Sequence, residues 1–148
     1  MKYYVINSNC TVLILSKPIE ETEQNVKKYY LNFEALKDVV YQKGELSVTA
    51  SKQYMTIINK SDASVTLKIT FDIIFKFNEV KTSILTYIFT NLYNKSTVQE
   101  TINVSNDENN FTISLNISPL FVGNLKLYSN DKFSVLSQLN KCQVTFSA

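Results

Sequence analysis

The chain has 148 residues, of which 45% are apolar and 19% charged, and a formal net charge of +2. That length and apolar content suit one domain over 1–148 with a sizeable core, and they exclude wholesale disorder. Lys is interspersed with Asp and Glu, so no basic stripe marks a nucleic-acid partner, and no apolar run reaches the ~18 residues of a membrane-spanning helix.

In chain order, Lys2–Ile6 and Thr11–Leu15 read as short strands. The residues before Asn7 carry a charge but too few apolar side chains for a signal-peptide core, so a chain made and kept without export is expected. Without export a disulfide is not the default. Cys10 falls in a turn-like stretch, and Cys142, in line with Val144 and Phe146, reads as a small buried hydrophobe. Pro18–Lys28, acidic and then basic, reads as a long exposed connection. The next segment carries helix signals: Asn32 as N-cap, an early Glu34, Phe33, Leu36 and Val40 on one face, and Gly44 at the stop. These predict one short helix over Phe33–Gln42.

Further strands are predicted at Glu45–Ala50, Tyr54–Ile58, Ser64–Phe77, Ser83–Tyr93, Val98–Val104, Phe111–Ile117, Asn124–Tyr128, Phe133–Leu139 and Lys141–Phe146. The clearest alternates Val65, Leu67, Ile69, Phe71 and Ile73 with Thr66, Lys68, Thr70 and Asp72, giving one dry face and one wet face. The adjacent Ile74 and Phe75 interrupt it and suggest a bulge or a change of sheet. Two glycines and two prolines cannot serve so many turns. Asn clusters at Asn7–Asn9, Asn59–Asp62, Asn94-Lys95, Asn106–Asn110, Asn130-Asp131 and Asn140-Lys141 take their place, because Asn tolerates left-handed backbone. The fold expected is all-β, an antiparallel β-sandwich of immunoglobulin-like or jelly-roll type.

Histidine is absent, which removes Ser-His and Cys-His nucleophile activation and the histidine metal triads. A carboxylate-pair glycosidase needs no histidine. Its candidates, Glu20, Glu21, Glu23, Asp72, Glu79, Glu100, Asp107 and Glu108, lie mostly in turns and connections and read as solvated surface. Phosphate-binding glycine loops and CxxC pairs are also missing, so neither an enzyme nor a metal or other cofactor is expected. Sequons at Asn9, Asn59, Asn94, Asn103, Asn110 and Asn116 would stay bare without export. Nine tyrosines remain, and Tyr is both a good strand residue and a rigid amphipathic contact. Tyr3-Tyr4 and Tyr29-Tyr30 are adjacent, so one ring of each pair must leave the core side of a strand. With Tyr41 they are the candidate interface residues.

The segment Thr56–Phe71, in which an apolar run meets Asn59-Lys60-Ser61-Asp62 and an alternating strand follows, resembles a hairpin of immunoglobulin-like domains. Such domains recur as decoration, fibre-base and tail modules of bacteriophage particles, and the taste for Asn, Lys, Ile and Tyr is similar to that of many phage proteins. The departures are no Trp, no intersheet cysteine pair and no Tyr-x-Cys corner; a jelly roll, as in many capsid proteins, fits the strand count equally well. The resemblance implies a non-enzymatic structural component of a virus or phage particle. Its partners would be other capsid or virion subunits in a homo-oligomer or larger assembly, and its location the virion. Lys2–Ile6 or Lys141–Phe146 would add to a neighbour's sheet. The alternative is a sandwich module binding carbohydrate or a host protein through Tyr-rich turns.

Overall fold

The computed structural model describes residues 3–7, 13–14, 18–36 and 40–147, the first two segments by backbone. They form two antiparallel sheets packed face to face. One runs in the order β1 (Tyr3–Asn7), β13 (Gln138–Ser147), β8 (Val65–Phe75), β11 (Asp107–Ile117), with β2 (Leu13–Ile14) paired to β13. The other runs β10 (Thr97–Ser105), β9 (Thr82–Asn91), β12 (Phe121–Ser129), β7 (Met55–Asn59), β6 (Leu46–Ala50), β5 (Val40–Lys43). In this second sheet, β4 (Val26–Tyr30) pairs with the far end of β12, and β3 (Ile19–Glu23) pairs with β4. Setting β2 to β6 aside, β1, β13, β8 and β11 face β7, β12, β9 and β10. The last strand lies between the first and third of its sheet, which is jelly-roll connectivity.

Alternation builds the core. Leu67, Ile69, Phe71, Ile73 and Phe75 of β8 are buried, and so are Cys142, Val144 and Phe146 of β13 beside them. Opposite lie Leu85 and Phe89 of β9, Leu125 and Leu127 of β12, and Met55 and Ile57 of β7. Each such side chain contributes about 1.5–3 kcal/mol by leaving water. Gly123 is required by a close approach: a Cβ there would lie 2.3 Å from the Phe121 ring and 2.6 Å from the Thr90 carbonyl. The Phe121 ring occupies that space and packs on Phe89 with centroids 5.1 Å apart.

Several expectations are corrected. The helix over Phe33–Gln42 is replaced by a single 3₁₀ turn, Glu34–Leu36, with β5 starting at Val40. Asn32 does cap that turn, accepting from Glu34 N at 2.9 Å, but Val40 and Tyr41 are taken up by pairing with β6. Gly44 (φ 57°) then turns the β5–β6 hairpin instead of ending a helix. Pro18–Lys28 is no loose connection: it holds β3 and the first part of β4, a hairpin turned by Gln24 and Asn25 at φ 48° and 66°.

Thr56–Phe71 is no hairpin: β7 and β8 belong to opposite sheets. Within the predicted strand Phe133–Leu139, Phe133 makes only an isolated bridge to Phe77, and a turn precedes Gln138. The alternation of β8 continues through Phe75, and the irregularity sits on β13, where Asn140 is the extra residue between Leu139 and Lys141. Lys141–Phe146 therefore lies inside a sheet, between β1 and β8, and cannot add to a neighbour's. Cys10 lies outside the described residues.

Candidate functional site

Three segments meet at the end of the sandwich where β12 stops: the β3–β4 hairpin, the stretch Asn78–Val80 between β8 and β9, and the turn Asn130–Lys132. They enclose a cleft of about 390 Å³ whose lining includes Glu20, Lys27, Glu79, Asp131 and Lys132, with the amides of Asn78 and Asn130. Asn130 and Asp131 are shared with a shallower groove of about 740 Å³ that continues along the ends of β9 and β10 past Ile84, Asn103 and Ser105.

Backbone pinning makes the cleft rigid. Asn130 Nδ2 donates to the Lys27 carbonyl at 2.8 Å, holding the turn against β4. Asn78 N donates to the Lys132 carbonyl at 3.1 Å. Asn106 binds both Phe77 N, through Oδ1 at 2.7 Å, and the Val80 carbonyl, through Nδ2 at 3.2 Å. Beneath the cleft Phe75, Phe77 and Phe133 pack ring on ring, with centroids 5.2–6.4 Å apart. A site fixed this way loses little entropy when it binds.

Asp131 is the best-positioned side chain. Its Oδ2 accepts from Ser83 Oγ at 2.6 Å, Ser83 Oγ lies 2.9 Å from Ser129 Oγ, and Ser129 Oγ accepts from Asp131 N at 2.9 Å. Ser129 is fully buried and Ser83 nearly so, so the carboxylate is oriented from below through Oδ2, and Oδ1 is the oxygen left for a ligand. Glu20 and Lys27 form an ion pair at 3.4 Å with both side chains about half exposed, an arrangement worth little in energy. The cleft as a whole sets three carboxylates against two ammonium groups beside a tyrosine ring.

The tyrosines singled out from sequence lie apart. Tyr29 points inward and walls the cleft. Tyr30, on the outward face, is covered within the chain: its ring meets Tyr128 at 5.4 Å and Lys126 Nζ at 5.9 Å. Burial, then the carboxylate of Glu21, pushes its hydroxyl up to about 12. Tyr41 is in the core, its hydroxyl donating to the Cys142 carbonyl at 3.3 Å. Tyr3 and Tyr4 pair with Ser147 and Phe146 in register.

Of the residues that build the cleft, Glu20 and Glu79 are among the carboxylates weighed above as solvated surface. Asn78, Asn130 and Asp131 are legible in sequence as turn formers only. A further apolar shelf at the opposite end of β12 carries the exposed Tyr93 and Leu120 around about 310 Å³. Among the described residues no group of three or more His, Cys, Asp or Glu could hold a metal ion, and no helix is long and apolar enough to cross a membrane.

No family profile and no curated protein matches the chain. Among solved structures it is similar to the C-terminal family 6 carbohydrate-binding module of LamC, a marine laminarinase from Zobellia galactanivorans, at 10% identity over 97% of this chain and 99% of that one, with a TM-score of 0.39. It is also similar to a family 35 module from Paenibacillus barcinonensis (12% identity, 98% of each chain, TM-score 0.38). A third is the family 6 module of Cellvibrio mixtus lichenase 5A in complex with cellotriose (10% identity, 95% of each chain, TM-score 0.36). The jelly-roll assignment rests on the strand order given above, not on these likenesses.

Proposed function

We propose that this chain is a non-catalytic module that binds carbohydrate in the cleft headed by Asp131. One observation carries the reading: three carboxylates and the carboxamides of Asn78 and Asn130 converge in one hydrogen-bond-braced concavity of about 390 Å³. Planar acceptors and amides can engage vicinal hydroxyl groups two at a time. Specificity in such sites comes from a few placed polar groups on a preformed surface. The excess of carboxylate over ammonium favours neutral sugars over uronic or sialic acids, which would bring like charge to Glu79 and Asp131. The continuation of the cleft into the groove along β9 and β10 accommodates more than one sugar unit.

The test is a glycan array on the wild-type chain, followed by titration calorimetry of the best neutral oligosaccharide. Asp131→Ala and Glu79→Ala each remove a bond to a charged acceptor, worth about 1.5–3 kcal/mol, and are expected to weaken binding roughly 10- to 100-fold. Lys95→Ala, in the turn at the other end, should bind as wild type. An array without a neutral-glycan signal, or cleft variants that bind unchanged, would overturn the reading.

A further inference from the structure

β10 ends its sheet, and among the described residues no strand pairs with its outer edge; at Ser105 the Asn109 side chain occupies it, Oδ1 accepting from Ser105 N at 2.9 Å and Nδ2 donating to the Ser105 carbonyl at 2.8 Å. An unpaired edge is a template for another strand, and proteins usually block it with charge, proline or shortness. The other edges of this sheet are so blocked: β3 reads Ile-Glu-Glu-Thr-Glu, and β5 has four residues ending in Lys43. β10 is nine residues long, without proline or lysine, and Glu100 is its one charge. Thr97 to Thr101 are exposed in succession, on both faces of the strand, including Val98 at 52%.

We infer that β10 pairs antiparallel with β10 of a second copy across a two-fold axis through Thr101, joining the two sheets into one. The occupant follows from register. A two-fold axis perpendicular to the sheet maps the core-side face of one copy onto that of the other, so it must pass through a residue. Centred on Thr101, the seven residues from Val98 to Val104 pair: Val98 with Val104, Gln99 with Asn103, and Glu100 with Ile102, while Ser105 is already bonded to Asn109. Val meets Val, amide meets amide and Thr meets Thr, the kinds of pairing that stabilise sheets, and Glu100 with Ile102 is the one unmatched pair. Centred on Glu100, the two carboxylates would stand directly opposite, which is destabilising. Centred on Ile102, Thr97 and Val98 would fall outside the strand's partner and Gln99 would meet the occupied Ser105. In the favoured register Glu100 is also drawn back over its own sheet, because its Oε2 accepts from Tyr87 Oη at 2.6 Å.

The pairing has a consequence for the groove. Asn103 and Val104 lie on its outer side, and Gln99 and Val98 of the second copy would stand next to them and lengthen it. The dimer does not depend on what the groove binds.

Sedimentation velocity on the full chain, from about 1 μM to about 1 mM, covers the range of weak to moderate association. The expected result is a concentration-dependent shift from the 17.0 kDa chain to a species of twice that mass. Thr101→Lys sets two ammonium groups against each other at the axis and should hold the chain monomeric with an unchanged circular dichroism spectrum. Thr101→Val should dimerise as wild type, and Glu100→Gln several-fold more tightly. Amide exchange at Gln99, Thr101 and Asn103, whose N–H groups face the open edge, should slow as concentration rises. A chain monomeric throughout, or a dimer indifferent to Thr101→Lys, would overturn the inference.

Discussion

Asn59 shows how much a single side chain in this fold can hold. It is almost fully buried, its Nδ2 donates to the Ala63 and Ser118 carbonyls at 2.9 and 3.0 Å, and its Oδ1 accepts from Ser61 N at 3.1 Å and Ser61 Oγ at 2.7 Å. It thus locks the crossing from β7 to β8 against the turn that enters β12. Asn59→Ala strands two carbonyls, and urea unfolding should show a loss of about 2 kcal/mol with an unchanged slope. The sequence marks Asn59 only as a turn residue. Nothing local discloses that Ser118, 59 positions away, is its partner. Asp131 was hidden in the same way, because Ser83, which orients it, lies 48 positions earlier.

At the scale of elements, legibility follows burial. β8 and β11 were readable because they are covered on one face, and one-sided burial imposes a period of two. The β3–β4 hairpin was not, because Glu20 to Lys27 are exposed on both faces and so carry no alternation. Its turn is also off-pattern: Gln24 and Asn25 both adopt left-handed backbone, which costs most side chains about 1–2 kcal/mol. Replacing them with the preferred pair, Gln24→Asn with Asn25→Gly, should stabilise the chain by about 1 kcal/mol in denaturant titration. The hairpin supplies Glu20, Lys27 and Tyr29 to the cleft, so the same variant should leave glycan affinity unchanged if the hairpin is already fully formed. The misread helix has a related cause, since the cap at Asn32 is real but the apolar residues after it are claimed by strand pairing.

For the whole molecule, two buried phenols tie stability to pH. Burial and the hydrogen bond to Glu100 push Tyr87 up to about 12, and burial and Glu21 do the same for Tyr30. Ordinary tyrosine ionises near 10. The folded state therefore holds these protons more tightly than the unfolded one, and the stability they contribute is complete below about pH 10 and is lost as pH rises from there toward 12. Thermal melts should fall across that window, with late-titrating tyrosinate absorbance, and Tyr87→Phe should flatten the decline. The sequence by itself determined the sheet class, because strands half in water write their orientation into every second residue. It determined the missing histidine chemistry too, which composition alone decides. Only the tertiary structure decided which strands share a sheet, that Asn130-Asp131 heads a cleft while Asn140-Lys141 makes a bulge, and that β10 keeps an open edge. Those outcomes depend on contacts between residues far apart in the chain, and no local pattern encodes them.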